Sequence, residues 1–92
     1  MTVTVKIPTP LRKFTADKDA VLVEGSTVGA ALRDLEGKHP GIWTKLCDDE
    51  GKVRRFINIY AGDEDIRFQE GLDTAILAGA EISIVPAIAG GR

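Results

Sequence analysis

The side chains suited to chemistry are few and scattered. His39 is the single histidine and stands beside Pro40-Gly41, where it reads as a solvated loop residue. Cys47 is the single cysteine, and with no activating neighbour in sequence it reads as a small buried residue beside Trp43. The acidic clusters Asp48-Asp49-Glu50 and Asp63-Glu64-Asp65 lack the spacing of an EF-hand loop and read as exposed turns. Gly25-Ser26-Thr27 lacks the remainder of a phosphate-binding loop, and Arg54-Arg55 is too short a basic run to mark a nucleic-acid site. Nothing here assembles a nucleophile, a base and an oxyanion site. The C-terminus is different. Ile84-Val85-Pro86-Ala87-Ile88-Ala89-Gly90-Gly91-Arg92 is an apolar strand, a proline, a small uncharged spacer and a glycine pair. Glycine has no Cβ, so such a tail can pass through a channel too narrow for any side chain, at an entropic cost on ordering. The reactive group would be a main-chain carboxylate. With a pKa near 3.5 it is ionised at neutral pH, and as an anion it resists nucleophilic attack until activated.

The rest of the chain must hold that tail. Val3, Val5 and Ile7 alternate with Thr4 and Lys6, the pattern of a strand with one buried face. Pro8 and Pro10 end it, because proline has no N–H for a ladder. Thr9 to Lys18 reads as a hairpin loop whose Leu11 and Phe14 tuck onto the sheet, and Ala20 to Val23 as the second strand. Ser26 is the expected N-cap of a helix in which Val28, Ala31, Leu32 and Leu35 share one face. Gly37 suits the left-handed position after it, and Pro40 limits its extension. A short second helix follows, with Ile42 and Leu46 on one side. Arg54 to Tyr60 is the clearest strand, with Ile57 and Ile59 on one face and Phe56, Asn58 and Tyr60 on the other. Ala61-Gly62-Asp63-Glu64 is expected to turn, Ile66 and Phe68 to lie in a short extended segment, and Leu72 to Leu77 to form a helical turn that plugs the core. Glu81 to Val85 is the last strand.

If the first strand pairs with both the second and the last, the first and last are parallel neighbours in the centre of the sheet. Val3, Val5, Ile7, Ile82, Ile84 and Val85 have the branched apolar character of such a central pair. A helix across one face completes an α+β domain. At 92 residues, 43% of them hydrophobic, the chain is a single domain with one modest core and little room for a large internal cavity. Its net charge of −2 argues against nucleic acid as the main partner, and no apolar run approaches a membrane span. The N-terminus lacks a signal-peptide pattern, so a cytoplasmic location is expected. One cysteine allows neither an internal disulfide nor a cysteine zinc cluster.

The stretches Arg55-Phe56-Ile57-Asn58-Ile59-Tyr60, Asp63 to Phe68, Gly71-Leu72-Asp73-Thr74 and Ile82 to Gly91 resemble the MoaD/ThiS-type ubiquitin-like sulfur carriers, and within them the CysO-like branch. The resemblance spans nearly the whole chain and is strongest from Arg55 onward. It implies a ubiquitin-like β-grasp fold, a mixed sheet with one main helix packed on one face, over residues 1–87, with a flexible Gly-Gly tail over 88–92. It also implies a protein co-substrate rather than an enzyme, with no bound cofactor. A ubiquitin-activating-like enzyme would use ATP to adenylate the C-terminal glycine, and a sulfur donor would then leave a thiocarboxylate. On this reading Gly91 carries the sulfur, Gly90 gives the thin approach, and Ile88 and Ala89 line the mouth of the partner's channel. Phe56, Tyr60, Phe68, Val85 and Pro86 are the expected partner interface, an apolar patch on the sheet face away from the helix. The sulfur acceptor would be a PLP-dependent cysteine synthase or another sulfur-accepting enzyme. The resemblance leaves three alternatives: a small subunit of molybdopterin synthase, a ubiquitin-like protein modifier, and a non-catalytic β-grasp adaptor. The family's active form ends at the second glycine, whereas this sequence continues to Arg92. Arg92 is then a residue removed by a JAMM-type metalloprotease, an addition to the natural chain, or the mark of a lost carrier function; removal is the favoured reading.

Overall fold

In the computed structural model, which describes residues 2–86, alternation builds the sheet as expected. Strand β1 (Thr2–Lys6) pairs antiparallel with β2 (Ala20–Glu24) and turns Val3, Val5, Val21 and Val23 inward. Strand β3 (Ile57–Ala61) forms a hairpin with β4 (Glu64–Asp65), whose turn places Gly62 at φ 66°, a conformation that favours glycine. The last strand, β5 (Glu81–Pro86), lies parallel to β1 and antiparallel to β3, so the sheet order is β2-β1-β5-β3-β4. The central parallel pair is thus confirmed, and Val3, Val5, Ile82 and Ile84 are each at most 3% exposed. Burying such a side chain contributes about 1.5–3 kcal/mol.

Helix α1 (Val28–Lys38) lays Val28, Ala31, Leu32 and Leu35 on the inner face of the sheet, all with 0% exposure. This is the β-grasp arrangement. Its N-cap is Thr27 rather than Ser26: the Thr27 hydroxyl accepts the Ala30 N–H at 3.1 Å. The Ser26 carbonyl accepts the Ile76 N–H, the Val28 N–H donates to Thr74, and Thr27 bridges to Ala75, which keeps the chain extended one residue further. Gly37 stays inside the helix, and the left-handed position falls at Gly41, φ 104°. The cause is Glu36, whose carboxylate accepts the N–H groups of Gly41 and Trp43 and fixes the turn into the short helix α2 (Trp43–Leu46).

Four further expectations need correction. The Thr9 to Lys18 loop contains a 3-10 helix, Thr9–Phe14, which seats Leu11 in the core. Ile66–Phe68 is also a 3-10 helix and not extended, because the Asp65 carboxylate accepts the Arg67 N–H at 2.9 Å and caps it. The helical turn expected over Leu72 to Leu77 is confined to Gly71–Asp73; Ile76 then plugs the core while Leu77 is 76% exposed. The β3 strand itself begins later than expected, because Arg54 to Phe56 form a turn closed by the Ile57 N–H on the Arg54 carbonyl.

Candidate functional site

The tail begins where the sheet is most firmly held. Strand β5 is flanked on both sides, by β1 and by β3, and its Ile82 and Ile84 are buried. Its last residue, Pro86, pairs with Ile57 at the start of β3. A pull on the tail is therefore resisted by two ladders and two core side chains. Gly91, Gly90, Ala89, Ile88 and Arg92, to which the tail chemistry was assigned, lie outside the described residues, as does the expected boundary at residue 87.

The five expected interface residues divide into two groups. Tyr60 and Val85 lie on the outer face of the sheet: Asn58 faces Val85 and Tyr60 faces Ser83, so the two are diagonal neighbours on adjacent strands. Phe68, 84% exposed, lies beyond β4 and shares a shallow groove with Tyr60, Asp65 and Arg67. Phe56 and Pro86 line a different groove of about 460 Å³ at the C-terminal end of β5, together with Pro10, Leu11, Thr44, Lys45, Arg54 and Ile57. Pro86 is in phase with the buried Ile82 and Ile84 and so belongs to the helix-side face. The single patch on one face that the sequence suggested is thus two adjoining surfaces, split by the period of two in β5 and by the turn that places Phe56 ahead of β3.

Most side chains set aside as inert behave accordingly, but the Asp63-Glu64-Asp65 cluster is not simply an exposed turn: Glu64 and Asp65 form β4, and Asp65 is buried against Arg67. Cys47 is 1% exposed, and burial pushes its thiol up to about 11, so it is protonated and unreactive at neutral pH. His39 is partly buried as the C-cap of α1. Asp48 turns its carboxylate onto the N–H groups of Glu50 and Lys52, which hold it below the ordinary aspartate range. Among the described residues, no group of three or more His, Cys, Asp or Glu side chains is placed to hold a metal ion. Among the same residues no helix is long and apolar enough to cross a membrane.

Sequence reasoning missed the cationic character of the groove. Lys45 and Arg54 stand on the two arms of the turn around Asp48 to Lys52 and meet because the Arg54 Nε–H donates to the Thr44 carbonyl at 2.9 Å, while the Arg54 N–H donates to the Leu46 carbonyl. No local motif announces such a pairing.

The chain matches the ThiS family over residues 5–91, a span that closes on the second glycine and leaves Arg92 outside. It is 50% identical over 93 residues to the sulfur carrier protein CysO of Mycobacterium tuberculosis, covering 99% of this chain and 100% of that protein. Among solved structures it resembles the BexX/CysO complex of Amycolatopsis orientalis, with a TM-score of 0.91 and 45% identity over 97% of this chain and 99% of that one. It also resembles Mycobacterium tuberculosis CysO, with a TM-score of 0.89 and 48% identity over 92% of this chain and 98% of that one.

Proposed function

The chain belongs to the ThiS family, and from that membership we propose that it is a sulfur carrier, a protein co-substrate whose reactive group is its own C-terminal glycine. The observation that carries this reading is the 50% identity, over essentially the full length, to a protein named as a sulfur carrier. The anchoring of the tail on the central strand adds to it. A carrier needs a domain that stays folded while its terminus enters another protein's site.

The chemistry follows from the carboxylate. After Arg92 is removed by a JAMM-type metalloprotease, Gly91 becomes the terminus. A ubiquitin-activating-like partner lets the Gly91 carboxylate attack the α-phosphate of ATP, which forms an acyl-adenylate and releases pyrophosphate. This replaces a poor leaving group by AMP. A sulfide-equivalent donor then attacks the carbonyl carbon, AMP departs, and the thiocarboxylate remains. That sulfur passes to a PLP-dependent cysteine synthase or another sulfur-accepting enzyme, with cysteine as the favoured product. Gly90 keeps the approach thin, Ile88 and Ala89 line the channel mouth, and the surfaces around Tyr60, Phe68 and Val85 and around Phe56 and Pro86 meet the partner. The carrier itself binds no cofactor, ATP being the partner's substrate, and these steps are assigned to the cytoplasm.

Intact-mass analysis of the protein from its native organism tests the reading. We expect a species ending at Gly91 and, under sulfur-transfer conditions, a second one heavier by the difference between sulfur and oxygen. Only full-length chain under active transfer would refute the carrier assignment, and isopeptide-linked targets would move it to a protein modifier.

A further inference from the structure

The cations of this molecule are unevenly neutralised. Among the described residues, Lys6, Lys38 and Arg67 each bridge to a carboxylate, Glu81, Asp34 and Asp65 respectively. The other described cations have no described carboxylate within salt-bridge distance, and of these Lys45 and Arg54 line the groove at the end of the sheet from which the tail departs. Lys13 and Lys45 flank the Phe14 ring at 5.5 and 5.7 Å, Lys45 and Arg54 line the Phe56–Pro86 groove, and the exposed Arg55, between Arg54 and Phe56 in sequence, lines the neighbouring groove that Arg54 shares. The acidic residues nearest Lys45 and Arg54 in sequence are Asp48, Asp49 and Glu50; the Asp48 carboxylate is occupied by the N–H groups of Lys52 and Glu50 and feels Arg54 only from beyond salt-bridge distance, and no described carboxylate lines the Phe56–Pro86 groove. At the opposite end of β3 and β5 stand Asp63 and Glu64. The net charge of −2 therefore conceals a cationic collar around an apolar groove at the tail's root.

The length of the tail makes that collar part of any complex that uses it. Five residues separate Pro86 from the end of Gly91. Fully extended, they reach at most about 17 Å, less than the 25 Å shortest dimension of the domain. A partner whose active site takes up Gly91 must close on the surface around Pro86.

We propose that this collar is a docking surface for the activating enzyme, and that the enzyme's channel mouth presents an acidic rim around an apolar contact for Phe56 and Pro86. The assignment rests on the carrier reading above. Unpaired charges at a rim act mainly by steering encounter, raising the association rate without slowing release. That suits a carrier that must load and leave in every cycle. Phe56, 53% exposed, supplies the apolar centre that the collar surrounds.

The test uses the chain ending at Gly91, its adenylating partner from the same organism, and the variant Lys45→Glu/Arg55→Glu. Both side chains are exposed and neither makes a structural hydrogen bond among the described residues, and circular dichroism and thermal melting check that the fold is kept. At low salt we expect kcat/KM for activation, and the association rate measured by direct binding, to fall by at least roughly tenfold. The gap should narrow as salt shortens the Debye length from about 10 Å at 0.1 M toward 3 Å at 1 M, with kcat at saturation unchanged. A folded variant that binds and reacts within twofold of the parent at low salt would overturn the collar. If the parent binds but no acyl-adenylate or thiocarboxylate mass appears, the carrier reading fails while the collar is still decided by the binding comparison. If the parent does not bind at all, both fall.

Discussion

A methyl group on Gly25 would stand 2.6 Å from the backbone nitrogen of Ala31 and 2.9 Å from its Cα. No rotamer change relieves a clash with backbone, so the start of α1 would have to lift from the end of β2. Gly25 is therefore required by close approach and not by an unusual φ. Gly25→Ala should lower stability by about 1–3 kcal/mol, the usual range for overpacking. A urea titration measures it, and an unchanged midpoint would show that α1 can shift at no cost. Gly37→Ala makes the matching control: its Cβ meets nothing within 4 Å, and the position is helical. Alanine there should be neutral or stabilising by up to about 1 kcal/mol. The sequence presents Gly25 only as a residue closing a strand, since the crowding comes from a helix turn six residues later. It equally suggested Gly37 as the left-handed stop, because the tie from Glu36 to Gly41 that moves the reversal is a tertiary contact.

At the scale of elements, the Asp65 cap on the 3-10 helix Ile66–Phe68 ties the β4 edge to the segment that returns toward β5. Its carboxylate accepts the Arg67 N–H and pairs with the guanidinium at 2.9 Å, and the Arg67 side chain is the leading cause of a pKa below the ordinary aspartate value. A group whose folded pKa is depressed adds stability that is complete above its unfolded pKa of about 3.9, and that is lost as pH falls through the lower folded value. Asp65→Asn should therefore be less stable than the parent at pH 7, with the difference shrinking below about pH 4. Melting curves between pH 7 and pH 2 check this; a difference constant down to pH 2 would assign the loss to packing. The strands were legible because burial imposes a period of two on Val3-Val5 and Ile57-Ile59, and the main helix because Val28, Ala31, Leu32 and Leu35 keep a period near 3.6. The 3-10 segments were not. Runs of three to six residues carry little periodicity, and only Ile66–Phe68 has a side-chain cap, from Asp65. Ser26 and Thr27 are equally good cap residues by type, and the choice between them was made by hydrogen bonds to Thr74 and Ile76, distant in sequence.

For the whole molecule, support for the fold and delivery of the reactive group are assigned to separate stretches of chain. Every buried apolar residue of the described chain lies between Val3 and Ile84. The tail could be recognised in sequence because its proline and glycine pair fall within one short stretch, Pro86 to Gly91, whereas the collar joins residues from the first loop, from α2 and from the turn before β3, which only folding brings together. The two surfaces should then fail in different ways. A chain ending at Ala89 keeps the whole described core, so its denaturation midpoint should match the parent within about 0.5 kcal/mol, as for changes away from buried features. It also keeps the collar and should still bind the activating enzyme with the same salt dependence. It should form no thiocarboxylate, because its terminal carboxylate stops about 7 Å short of the position that Gly91 reaches. Extra enzyme or longer incubation would not rescue it, in contrast to Lys45→Glu/Arg55→Glu, whose defect lies in encounter and is recovered at high carrier concentration. Measuring stability, binding and sulfur loading on the two variants side by side separates the roles. Loading of the Ala89-terminated chain at the parent's rate would remove the main-chain terminus from the chemistry.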